Sequence, residues 1–189
     1  MLDITFDPRA VGEVVRYHTW STHHKQSVGE HSWQILRILL TIWPGAPRRM
    51  MIHTVKHDMG EMMGDIAYPF KQLVPELKHG SVKAEEHVMR EMAKTIGIPR
   101  NSGSLSRYEY VVFKLCEHIE MWEYGLHEMN MGNKYGEIIV SRMMAEIGPA
   151  LHMLDTELTH TPDAVQHPGI PEAAHRYILQ RMRMENVNG

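Results

Sequence analysis

Apolar residues recur along the chain three and four positions apart, and no segment alternates like a half-buried strand, so the regular elements are expected to be helices. The first is expected over 7–17, starting at Asp7 with Pro8 in its first position, where a missing N–H does no harm. After the polar run HTWSTHHKQ comes SVGEHSWQILRILLTIWP, in which Ser27 and Glu30 have the spacing of a capping box and Pro44 ends the helix. A third helix is expected over 47–63, closed by Gly64, and the stretch beyond it, with Pro69 and Pro75, reads mostly as loop. A fourth covers 81–96, stopped by Gly97 and Pro99. The fifth, over 105–124, is the most apolar, and two more cover 135–154 and 171–186. No repeat, low-complexity tract or linker divides the chain. The expected fold is all-α, a single globular domain over 1–189 with about seven helices.

Against this pattern, several polar residues fall where apolar ones belong. At about 100° per residue, with His57 at zero, Glu61 lies near 40°, Thr54 near 60° and Asp58 near 100°. Met51, Val55, Met59, Met62 and Met63 form the apolar stripe of the same helix. On the second helix His31 falls among Val28, Ile35, Ile38, Leu39 and Ile42, and so points into the core. On the fifth, Lys114 and Glu117 fall among Tyr110, Phe113, Met121 and Tyr124. Burying such groups unpaired costs several kcal/mol each. If the three faces meet, they deliver two imidazoles and two carboxylates to one place, and a divalent metal would account for them.

Each signal has an ordinary explanation when taken singly. A lone core histidine is more often hydrogen-bonded than metal-bound. Glu30 is explained by the cap, although it can also orient a histidine from behind. Glu120 competes with Glu117 for the same role, and the methionine stripe is ordinary core. The joint pattern carries the chemistry.

Composition narrows the classes. A chain of 189 residues, 43% hydrophobic and 23% charged, can bury a sizeable core as one domain. A net charge of −3 provides no general field for nucleic acid, while a local positive cluster can still hold a small anion. The single cysteine, Cys116, suits a reducing, cytoplasmic setting. The start, MLDITFDPRA, has no signal-peptide character, and ILRILLTIW is broken by Arg37 and too short to span a bilayer. Neither nucleic acid nor membrane is an expected partner.

The motif SVGEHS (27–32), followed by HDMGE (57–61) and GD (64–65), resembles the HD-domain phosphohydrolases. The likeness is nearest to small bacterial 5′-deoxynucleotidases and phage deoxynucleoside triphosphohydrolases, and it covers about residues 10–125; the C-terminal helices, over 134–187, match only as helices. The resemblance implies an all-α HD-type bundle with a divalent ion (Zn, Mn, Co or Mg). It makes His31, His57 and Asp58 metal ligands. Glu117 stands where the family places an Asp as fourth ligand. Glu61 matches the carboxylate that handles the attacking water, and Asp65 the acid that contacts the sugar, here with one residue fewer in the spacing. Arg16-Tyr17 stands for the family's Arg-Trp pair against base and phosphate, with Trp20 as a possible substitute for the missing Trp. Lys71 and Lys114 resemble its phosphate-binding lysines.

These residues imply an enzyme that cleaves 2′-deoxynucleotides, with a dNTP such as dATP giving deoxynucleoside and triphosphate as the leading expectation. Release of phosphate from a dNMP is the alternative. A helical metal-binding module without catalysis is the reading from another class, and the presence of Glu61 argues against it. By analogy with small HD hydrolases, a homo-oligomer is expected. Nothing points to covalent catalysis: Cys116 has no nucleophile motif around it.

Overall fold

The computed structural model describes residues 8–17, 20–63 and 104–188, together with Gly80, Lys83, His87, Arg90, Glu91 and Lys94. Its helices are α1 (Pro8–Gly12), α2 (Val28–Ile42), α3 (Arg48–Lys56), α4 (Arg107–Asn130), α5 (Tyr135–His152), α6 (Pro162–Gln166) and α7 (Ile170–Asn188). A 3₁₀ turn, Met59–Met63, follows α3, and a π turn, Met153–Glu157, follows α5. Among the described residues the only β pairing is one antiparallel bridge, Val15 with Ser27. The all-α expectation holds. Lys83, His87, Arg90, Glu91 and Lys94 are helical, as the expected fourth helix requires, and so is Gly80, expected as the end of the preceding loop.

The core forms where α2 meets α4. From α2, Ile35, Ile38 and Leu39 are fully buried; from α4, Val112, Leu115, Cys116 and Ile119 are equally so. Their spacings of three and four place each set on one stripe, and burying a side chain of this size contributes about 1.5–3 kcal/mol. The helix α4 begins with a complete capping box: Ser106 Oγ accepts from Glu109 N–H, and Glu109 accepts from Ser106 N–H. The same buried Glu109 binds Arg49 through both oxygens, at 2.7 and 2.9 Å, which ties α3 to α4.

Helix α4 runs past the expected end at Tyr124, and Gly125 just beyond it is a contact surface. A Cβ on Gly136 would lie 2.5 Å from the Gly125 carbonyl oxygen, so α5 packs with its backbone almost on that of α4. The hairpin between them turns at Gly132, whose φ of +82° suits glycine. No described helix is long and apolar enough to cross a membrane.

Two expected helices are shorter than their patterns suggest. The first stops at Gly12; Val28 N–H then donates to the Val14 carbonyl at 2.8 Å and Arg16 N–H to the Gln26 carbonyl at 2.9 Å. This non-local pairing outcompetes continuation of the helix. The third ends at Lys56 rather than near residue 63, and the core side of α3 is Met50 and Thr54, whereas Val55, expected in the apolar stripe, is about half exposed. The loop expected at 65–80 lies outside the described residues, the isolated Gly80 excepted.

Candidate metal centre

The break after α3 is where the chemistry collects. His57 donates its Nδ1–H to the Thr54 carbonyl oxygen at 2.7 Å, so its ring takes the acceptor that a continuing helix would offer to the Asp58 N–H. The chain tightens instead into a 3₁₀ turn, in which Glu61 N–H donates to the Asp58 carbonyl at 2.9 Å. The wheel used for 57–61 therefore does not apply there, yet the residues still converge. A carbonyl only accepts, so the bond fixes the proton on Nδ1 and turns His57 Nε2 toward Asp58.

His31 reaches the same point from α2. Its ring is fully buried, 5.3 Å centroid to centroid from that of His57. Its Nδ1–H donates to Glu120 Oε2 at 2.5 Å. Asp58 Oδ2 then lies 3.2 Å from His57 Nε2 and 3.6 Å from His31 Nε2. Neither Nε2 has a hydrogen-bond partner, although both are buried. Three ligand atoms, one each from His31, His57 and Asp58, lie within 4.8 Å of one another, and this group can hold a metal ion. Mixed nitrogen and oxygen donors suit several divalent ions.

The electrostatics agree with a site built for a cation. Burial opposes charge on His57, but Asp58 beside it more than offsets this and raises the imidazole pKa. Burial also opposes the charge on Asp58; His57, Arg16 and His31 together hold its carboxyl well below the ordinary range. Burial lowers the pKa of His31, and Arg16 adds to the effect, which favours the neutral imidazole.

The bridge at Val15 delivers Arg16 to this group. Burial disfavours its charge, yet Tyr17, Asp58, Glu120 and Glu61 leave its guanidinium more firmly protonated than usual. Tyr17 sits at φ +54°, in the left-handed region that bulky residues rarely adopt. Its ring stacks on Tyr124 with centroids 5.0 Å apart and planes 7° from parallel, and the Arg16 guanidinium lies 5.4 Å from its centre. Trp20 packs edge-on against both Tyr17 and Tyr135. One face of Tyr17 is thus already covered by protein.

Glu117 is not drawn into the three-residue group. Its carboxylate pairs with Lys114 one turn earlier on α4. Burial raises its pKa, and Lys114, His57 and His31 together bring it below the usual value, so it lies within electrostatic reach of both imidazoles. Glu120, the other candidate for the fourth ligand, is fully committed: its second oxygen accepts from Gln26 Nε2 at 2.6 Å. Ser27 caps α2 as expected, but Glu30 does not complete the box; its carboxylate accepts from His24 Nε2 at 2.8 Å. Asp65 and Lys71 lie outside the described residues. Cys116 is fully buried and its thiol pKa is pushed up, which makes it inert.

Periodicity did not mark Gln26 as part of the site, and it placed Thr54 and Tyr124 on the right helix faces without the roles they take. Gln26 precedes the helix, Thr54 contributes a backbone oxygen, and Tyr124 acts through a partner from another segment. A cavity of about 460 Å³ between α2 and α4, lined in part by His24, Glu30, Tyr124 and His127, adjoins this region through Gln26 and Glu120.

Comparison with protein-family models and with characterised proteins gave no match to this chain.

Proposed function

We propose that the protein is a metal-dependent phosphohydrolase of 2′-deoxynucleotides, foremost a dNTP triphosphohydrolase acting on a substrate such as dATP. One observation supports this above the others: two buried imidazole nitrogens, neither with a hydrogen-bond partner, and a carboxylate oxygen lie within 4.8 Å of one another. Such an arrangement is costly unless a cation occupies it.

His31, His57 and Asp58 would hold the ion, with Glu117 as the fourth ligand. A divalent ion supplies Lewis acidity, lowering the pKa of a water molecule and polarising a phosphoryl oxygen. Glu61 takes the proton from the attacking water. Arg16 and Lys114 neutralise phosphate charge, with Lys71 as a further cation, and this electrostatic share is the larger part of phosphoryl-transfer catalysis. Tyr17 and Trp20 border the base, and Asp65 contacts the sugar. Water adds at the α-phosphorus and the bond to the 5′ oxygen breaks, so dNTP and water give deoxynucleoside and triphosphate. The enzyme works in the cytoplasm as a homo-oligomer.

The test is to incubate Mn²⁺-loaded protein with a panel of dNTPs, dNMPs and ribonucleotides and identify the phosphate species released. Triphosphate from a dNTP is the expected result. Orthophosphate from dNMPs would move the assignment to 5′-deoxynucleotidase, and no product with the ion bound would favour a non-catalytic metal-binding module.

A further inference from the structure

The carboxylate of Glu120 is 3% exposed and has both oxygens engaged, Oε2 by His31 Nδ1–H at 2.5 Å and Oε1 by Gln26 Nε2 at 2.6 Å. Both oxygens thus already serve neighbours, and Glu120 is not one of the three residues grouped to hold an ion. Its effect on His31 is nevertheless decisive. The ring is fully buried, so no solvent stands by to satisfy Nδ1. A neutral imidazole carries one proton, and without an acceptor behind it that proton would sit on Nε2 and bond to Asp58 Oδ2, now 3.6 Å away. The nitrogen needed for the metal would then be blocked. The carboxylate can only accept, so Gln26 must present its amide N–H₂ to it, which also fixes the orientation of the Gln26 amide. Gln26 itself is held by the segment pairing that delivers Arg16, through the Arg16 N–H bond to the Gln26 carbonyl at 2.9 Å.

We infer that Glu120 is a positioning residue of the metal site: braced by Gln26, it takes the Nδ1–H of His31 and leaves the Nε2 lone pair facing His57 and Asp58. This rests on the metal reading of the His31, His57 and Asp58 group. Partners that orient a ligating histidine in this way are typically worth 10–100-fold in metal affinity.

The experiment combines two readouts on the full-length protein: histidine ring ¹⁵N NMR of the metal-free form, and Mn²⁺ titration by calorimetry. In the wild type, His31 carries its proton on Nδ1. In Glu120→Ala the Nε2–H form appears and Mn²⁺ affinity falls about 10–100-fold. Glu120→Gln keeps an acceptor oxygen, with Gln26 turning its amide to match, and restores both the tautomer and most of the affinity. A merely structural role would move the melting temperature without changing the tautomer. A wild-type His31 protonated on Nε2 overturns the inference, whatever the folding of the variants, and so does a Glu120→Ala protein with unchanged tautomer and affinity. Failure of the wild type itself to take up any of Mn²⁺, Zn²⁺, Co²⁺ and Mg²⁺ overturns the metal reading, a result distinct from equal binding by wild type and variant.

Discussion

His57 donates its Nδ1–H to the Thr54 carbonyl at 2.7 Å, and this single bond both stops α3 and aims Nε2 at Asp58 Oδ2, 3.2 Å away. Helix termination and ligand orientation are the same event. On the opposite side, Glu120 does for His31 what a backbone carbonyl does for His57. The two imidazoles are thus fixed from behind by different means and both turn Nε2 toward Asp58.

Asp58→Asn is the sharpest test of the site. The new amide places an N–H₂ group where the carboxylate oxygen stood, within 3.2 and 3.6 Å of the two Nε2 atoms. It can donate to His57 Nε2 at the 3.2 Å separation and removes the negative charge that a cation needs. The variant is expected to fold with an unchanged melting temperature in the metal-free state, and to lose Mn²⁺ binding and hydrolysis together. Full activity in this variant would remove the site from consideration.

Glu61→Ala separates metal binding from proton handling. Glu61 follows the ligands in the 3₁₀ turn and lies close enough to Arg16 to strengthen its charge, but it is not one of the three ligating residues. Mn²⁺ affinity by calorimetry is expected to stay near wild type while turnover falls about 10²–10⁴-fold. An unchanged rate would assign the proton to another group.

Much of this was legible in the sequence, and the exceptions share a cause. The inward-pointing His31 was found because helical periodicity marks which face a residue occupies, and His57 and Asp58 stood out as an adjacent pair. Periodicity assumes an unbroken helix, so it missed the stop at Lys56, which depends on a side chain taking a backbone acceptor. It likewise extended the first helix through Val14 and Arg16, whose partners are the non-local Gln26 and Val28. On α4 the wheel put Glu117 and Glu120 in competition. What separates them is each one's partner, Lys114 for Glu117 and His31 with Gln26 for Glu120, and a wheel contains no partners.

That difference in partners is itself testable. Glu117→Gln is expected to weaken Mn²⁺ binding more than Glu120→Gln, because the first removes a ligand charge and the second retains an acceptor for His31. The same Glu117→Gln change also frees Lys114 from its ion pair, so substrate KM is expected to shift less than metal affinity. Equal effects of the two substitutions on Mn²⁺ affinity would leave Glu117 outside the ligand set.

The loop that carries Gln26 hangs on one buried carboxylate, and its acid sensitivity follows. Glu128 accepts the backbone N–H groups of His24 at 2.7 Å and His23 at 2.8 Å, and it also binds the Asn133 amide. Burial alone would raise its pKa; the donors from His24, His23 and Asn133 outweigh this and lower it. A carboxyl with a depressed folded-state pKa contributes stability that is complete above its unfolded value, about 4.3, and is lost as pH falls through the folded one. Glu128→Gln removes that contribution, because its amide N–H₂ meets donors where the carboxylate met them as an acceptor. At pH 7 the variant is expected to be less stable by about 1.5–3 kcal/mol, the range for a hydrogen bond to a charged group. In urea denaturation at successively lower pH, the gap between wild type and variant should narrow only in the acid range below that unfolded value. A gap that stays constant down to the acid limit would mean that the Glu128 charge does not hold the loop.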